Sequence, residues 1–375
     1  MKKNIMLKSF IKYVTLNVIG MIGFSCYILA DTYFVSKGMG ANGLTSLNLA
    51  IPVYTFINGI SLMIGIGGGA KYVLLSAKGE KDKANTIFTS SVQAGILCGL
   101  TFLTVGILLG NKISYILGAD NVTFAMTSLY LKTIMAFAPF IILNNIFLVF
   151  VRNDGNPKLS MLGMLFGSFS NIILDYVFIF PLNLGIFGAA FATGLSPVIS
   201  MIILSIYLLK RKNQFHLKKE KLNIKEVIKL CGTGASSFIT EISSGIVLIV
   251  FNMVILKLKG NIGVAAYGIV ANLALVVMAI FTGIAQGVQP LVSKSYGNKE
   301  KEQLYYILKY SIFLSVTIAI LVYGIVFFST DTLVSIFNKE KNRELSNLAV
   351  SGIHIYFTGF LFAGVNIILS VFFSS

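Results

Sequence analysis

Apolar runs of about twenty residues, long enough to cross a bilayer as helices, recur ten times along the chain. They occupy 13–35, 44–70, 88–110, 130–151, 159–181, 185–209, 231–256, 262–292, 307–328 and 349–373. The runs are continuous and do not alternate, which predicts helices and excludes a porin-like barrel. The second and eighth are longer than a span needs, so protruding or tilted ends are expected there. The pattern predicts an all-α polytopic membrane protein.

The polar intervals orient the spans. Basic segments fall in the N-terminal tail, 71–87, 152–158, 210–230 and 293–309, which together hold 22 of the 30 Lys and Arg residues. They alternate with basic-poor intervals, so the positive-inside rule predicts a multi-pass protein with a cytoplasmic N-terminus. The basic start MKKNIMLKSFIKY precedes an apolar run too long for a typical signal peptide, and it reads as an uncleaved first span.

A repeat organises the ten spans. Gly40-x-x-Gly43 opens span two and Gly260-x-x-Gly263 opens span eight. Further on, GIGGGAKYVLLSAKGEKDKA (65–84) lines up with GIAQGVQPLVSKSYGNKEKE (283–302). That alignment places Gly65, Gly69 and Gly79 on Gly283, Gly287 and Gly297, at the cost of a two-residue gap between blocks. Both copies run in the same direction, which predicts two parallel-oriented lobes related by an axis along the membrane normal. The expected division is an N-terminal lobe, 1–209, a basic cytoplasmic linker, 210–230, and a C-terminal lobe, 231–375. Two six-helix bundles would need twelve spans, and the ten present predict an incomplete second lobe. The linker is expected to be solvated.

Composition agrees with this picture: 56% of residues are hydrophobic, 12% are charged, and mean hydropathy is +0.84. The net charge of +16 belongs to the loops and does not signal nucleic-acid binding. Cys26, Cys98 and Cys231 lie singly in apolar segments and read as packing residues, without metal-ligand or disulfide spacing. No HExxH, phosphate-binding loop or aspartate-rich prenyl-diphosphate motif occurs, so neither an intramembrane enzyme nor an ATP-driven pump is expected.

Against that background two acids stand out. Asp31 and Asp175 lie inside spans one and five, each in the outer third. A carboxylate at membrane depth costs about 2.5–3.5 kcal/mol on insertion scales and marks ion, proton or substrate handling. Asn171 sits one helical turn before Asp175 on the same face, and Thr193 on span six reaches a comparable depth. Carboxyl groups held close together away from water can exchange protons near ambient pH, and Asn and Thr oxygens suit Na+ as hard ligands. Glu241 is the other acid well inside a span. Asn144, Asn145, Gln286 and Gln289 are candidate cavity residues, and each serves equally well as an interhelical hydrogen-bonding group. Pro52, Pro139 and Pro290 are expected to break up their spans.

Several segments together resemble the multidrug and toxic compound extrusion (MATE) family, in its bacterial drug-efflux form. They are ADTYFVSKGMGANGL (30–44), GIGGGA with GEKDKA (65–70, 79–84), VRNDGNPKLSM (151–161), NIILDYVFIF (171–180), GIFGAAFAT (185–193) and GIAQGVQPLVSKSYGNK (283–299). The resemblance implies a monomer with a V-shaped pair of six-helix lobes in a bacterial plasma (inner) membrane, exporting small amphiphilic and cationic drugs by antiport with H+ or Na+ through alternating access. It implies no cofactor beyond that coupling ion, and no metal beyond Na+ at Asp31 and Asp175. It assigns Asp31, Asn171, Asp175 and Thr193 to the coupling site, with Glu241 as a second-lobe acid. The alternatives are a flippase for lipid-linked precursors, which would want a cationic cavity, and an inactive truncated transporter.

Overall fold

Two glycines set the architecture. In the computed structural model, which describes residues 2–337 and 342–375, Gly40 has φ 63° and ψ −153°, and Gly260 has φ 62° and ψ −157°. That backbone region is open essentially to glycine alone. Each glycine reverses one long helix into the next. The helices are α1 (Ile5–Gly40), α2 (Asn42–Ala77), α3 (Lys81–Ile116), α4 (Phe124–Ala136) and α5 (Ala138–Asn153). They continue with α6 (Pro157–Ile179), α7 (Gly185–Leu209), α8 (Ile224–Ile255), α9 (Ile262–Gly297), α10 (Lys301–Phe337), α11 (Arg343–Thr358) and α12 (Phe360–Ser374). Eight helices are long and apolar enough to span a membrane, and the bent pairs α4/α5 and α11/α12 bring the total to ten.

The repeat runs without the expected gap. Helices α2 and α9 both have 36 residues, and each is followed two positions later by a residue with positive φ, Gly79 at 79° and Lys299 at 59°. Gly79 therefore corresponds to Lys299, not Gly297, with the same offset of 220 that relates Gly40 to Gly260. Matching glycine to glycine misplaced the register because lysine holds the turn conformation in the second copy. The bends also correspond, at 48° and 41°. Pro139 follows the first bend, whereas the second falls at Gly359 without a proline. Pro52 and Pro290 remain inside continuous helices, against expectation.

The connections carrying most of the basic residues all lie at one end of the helices, called here the basic face. In that half of the structure the lobes exchange helix ends. Met6, Phe10 and Val14 of α1 are buried in the C-terminal core with Phe281, Ile284 and Val288. Reciprocally, Leu230 of α8 is buried in the N-terminal core. Glycines allow backbone contact at these crossings. A Cβ on Gly283 would meet Val18 Cα at 2.7 Å, and one on Gly287 would meet the Tyr13 carbonyl oxygen at 2.8 Å. Gly67 and Gly234 abut the Leu230 and Met63 carbonyls in the same way. Toward the other face, Val250, Met253 and Val254 of α8 are exposed. The N-terminal helix α1 is backed by α6, with Gly20 and Gly23 against Met164 and Leu165. Its counterpart α8 has no such backing helix among the described residues.

The linker differs from its expected solvated state. Residues 210–223 lie along the N-terminal lobe, and α8 begins at Ile224. Phe215 is fully buried among Tyr72, Phe88, Phe150 and Tyr207. Asp154 accepts hydrogen bonds from Tyr72 Oη (2.6 Å), Tyr207 Oη (2.9 Å) and Gln214 N (2.8 Å). Burial pushes the Asp154 carboxyl above the ordinary aspartate range, against the pull of those three donors. Asn85 and Thr89 accept from the His216 and Lys218 amides. A single aromatic side chain in a Lys-rich stretch thus turns a linker into a strap.

Candidate functional site

Helices α1, α6 and α7 bring the two span aspartates together. Asp31 is 7% exposed and Asp175 0%, and their carboxyl groups lie within hydrogen-bonding reach of each other. Asn171 lies one turn below Asp175; with its amide oriented to match its neighbours, the nitrogen donates to Asp175 Oδ2 at 2.9 Å and the oxygen accepts from the Thr193 amide at 3.3 Å. Thr193 is itself buried on α7, facing α6. One oxygen of each aspartate, Asp31 Oδ1 and Asp175 Oδ1, has no hydrogen-bond partner. No lysine or arginine forms an ion pair with either among the described residues. Because α1 continues to Gly40, Asp31 sits nine residues from its helix end, deeper than the apolar run indicated.

Tyr130 of α4 completes the cluster. It is buried, and it lies beside Thr193 and in the field of both aspartates. Its only signal in the sequence was a tyrosine opening an apolar run. A second pair, Tyr27 and Tyr54, shares a 3.0 Å hydrogen bond between α1 and α2. Tyr54 is within electrostatic reach of both Asp31 and Glu241, so this pair lies between two acidic sites.

The second acidic site crosses the lobes. Glu241 on α8 accepts from Asn58 Nδ2 of α2 at 2.8 Å. Asn145 of α5 donates to Asn58 Oδ1 at 2.9 Å and to Ser61 Oγ at 2.6 Å. Glu241 and Asn145 were candidates in the sequence, while Asn58 and Ser61 were not singled out. Both are ordinary polar residues in an apolar span, and only the α2–α8 crossing gives them partners.

The remaining candidates lie elsewhere. Asn144 has a buried amide oxygen without a partner. Gln286 is 8% exposed and Gln289 1%. Gln286 bonds to Arg152 across the closed basic half of the interlobe seam, whereas Gln289 bonds to Ser293 of its own helix at 3.2 Å. No group of three His, Cys, Asp or Glu side chains fit to hold a metal occurs among the described residues.

The MatE family model matches residues 18–177 and 237–375, most of both lobes. The chain belongs to the MatE family. Its relatives include the multidrug export protein MepA of Staphylococcus saprophyticus, 29% identical over 374 residues, covering 96% of this chain and 82% of that protein. MepA of Staphylococcus aureus is 31% identical over 281 residues, 74% of this chain and 62% of that protein. Among solved structures, an outward-facing multidrug resistance MATE transporter of the MOP superfamily aligns over 98% of this chain and 82% of its own. The TM-score is 0.89 at 23% identity. A MOP superfamily transporter from Pyrococcus furiosus aligns at 0.86 and 22% identity, over 98% of this chain and 84% of that one. The structural likenesses establish the fold, and the family together with its multidrug export relatives places the chain among multidrug efflux transporters.

Proposed function

We propose that the chain exports small amphiphilic, cationic compounds in exchange for inward-moving H+ or Na+, using the Asp31–Asp175 pair as the coupling site. The basic face is cytoplasmic in this reading, as the distribution of Lys and Arg favours, in a bacterial plasma membrane. No cofactor beyond the coupling ion is required.

The observation that carries the reading is two buried carboxyl groups in contact, each with one unpartnered oxygen and without a basic partner among the described residues. Two such groups cannot both remain charged and unaccompanied in a low-dielectric site; they share a proton or hold a cation between them. Asn171 and Thr193 hold Asp175 in place for either occupant. Loss of the occupant leaves a repelling pair at the α1–α6 contact, which biases α1 and thereby the lobe arrangement. A drug cation that favours the ion-free state is then exchanged for the ion, because each ligand shifts the equilibrium by its differential affinity for the two states.

Gradient-driven dye efflux tests this. Vesicles carrying the protein should export dye when an H+ or Na+ gradient is imposed, and Asp175→Asn should abolish the gradient dependence while membrane insertion persists. Full gradient-driven efflux by Asp175→Asn would overturn the reading.

A further inference from the structure

One charge in the closed seam has no role in the coupling site. Arg152, in the last turn of α5, is 1% exposed and ranks among the largest fully buried side chains. Its Nη1 donates to Asn17 Oδ1 of α1 at 2.8 Å and to Gln286 Oε1 of α9 at 2.9 Å. Its Nε and Nη2 have no hydrogen-bond partner. It forms no ion pair among the described residues. Asp154, two residues on, has its oxygens committed to Tyr72, Tyr207 and Gln214. The Tyr13 phenol is the other titratable group in its field.

The surroundings explain why the guanidinium is dry. Gln286 lies between Gly283 and Gly287, the two positions where α9 touches the α1 backbone. The charge therefore sits beside a crossing where the backbones of the two lobes touch. A buried guanidinium held by neutral acceptors alone retains most of its desolvation cost, several kcal/mol in real proteins. The α5 carbonyl dipole and Asp154 lie on the same lobe as Arg152 and accompany it in either arrangement. Only Gln286 and access to water change when the seam opens.

We propose that Arg152 is a stranded charge that drives the basic face open. Closure of the seam strips water from the guanidinium without supplying a counter-ion, and separation of α1 from α9 restores that water. The residue keeps the closed arrangement from becoming a trap and thereby positions the lobes for the next exchange. This rests on the alternating-access reading above, but its test reads the lobe arrangement directly and needs neither drug nor ion gradient.

The test is thiol labelling at the seam. With Cys26, Cys98 and Cys231 replaced by serine, Val18→Cys is exposed to an impermeant maleimide in vesicles presenting the basic face. Removing the charge with Arg152→Met should slow labelling at least about tenfold, and so should supplying a counter-ion with Gln286→Glu. Arg152→Lys, which keeps a charge at the seam, should label within a few-fold of the parent. If the arginine instead clamped the lobes together through its hydrogen bonds, Arg152→Met would label faster, and that result would overturn the proposal. Unchanged labelling in both Arg152→Met and Gln286→Glu would do the same. Should Arg152→Met fail to accumulate, Gln286→Glu still decides, because a charge already neutralised in the closed seam would leave labelling unaltered. Failure of the coupling reading would appear separately, in Asp175→Asn efflux.

Discussion

Phe215→Ala should release the interlobe strap. The ring is fully buried and lies 4.6 Å from Phe88, 6.1 Å from Phe150, 6.2 Å from Tyr72 and 6.3 Å from Tyr207, centroid to centroid. Truncating a buried phenylalanine costs about 3–5 kcal/mol. The lower figure applies here, because the pocket lies at the edge of the lobe and can relax toward solvent. About 3 kcal/mol corresponds to roughly a hundredfold rise in the undocked fraction, at 1.4 kcal/mol per tenfold. The hydrogen bonds to Asp154, Asn85 and Thr89 remain, so the strap still docks in a minority of encounters rather than vanishing. Trypsin reads this equilibrium after Lys218, Lys219 and Lys221, since cleavage follows the open population when reclosing is fast. In vesicles presenting the basic face, cleavage should accelerate by about two orders of magnitude while the α-helical signal persists. Cleavage within twofold of the parent would refute the docking argument and restore a solvated linker.

Other substitutions test other joints. Gly287→Ala places a methyl 2.8 Å from the Tyr13 carbonyl and from Val14 Cα, both backbone atoms unable to swing aside. Overpacking of this kind costs about 1–3 kcal/mol, so Val18→Cys labelling from the basic face should rise about five- to a hundredfold. Asn58→Leu removes the donor to Glu241 and the acceptor for Asn145; it should lower efflux of cationic dyes several-fold at unchanged protein level, measured in intact cells. Asp154→Ala strips the acceptor from two tyrosines and the Gln214 amide, and tryptic cleavage of the strap should rise at least about tenfold.

The spans were legible because bilayer thickness writes itself into the sequence as apolar length. Each of the ten expected runs coincides with a helix or bent pair, 159–181 overrunning its helix by two residues. Their ends were less legible: α1 reaches Gly40 and α9 reaches Gly297, because helices continue past the apolar stretch wherever a neighbour or solvent satisfies the polar turns. Asp31 and Asp175 announced themselves as charges in apolar runs. Arg152 and Phe215 were hidden for opposite reasons. Arginine at the end of a span looks like any topology-setting charge, and only the α1–α9 crossing makes it buried. A phenylalanine among lysines looks incidental until a pocket of four rings receives it. The Asn58–Glu241 bond joins positions 183 apart, which no local pattern encodes.

Ion release on drug binding tests the coupling site most directly. Purified protein in weakly buffered detergent solution is mixed with a cationic dye, and released H+ or Na+ is followed with an indicator. The account predicts ion release on dye binding in the parent protein and none in Asp31→Asn or Asp175→Asn, although both variants still bind dye. Undiminished release from Asp175→Asn would contradict it and place the exchanged ion elsewhere.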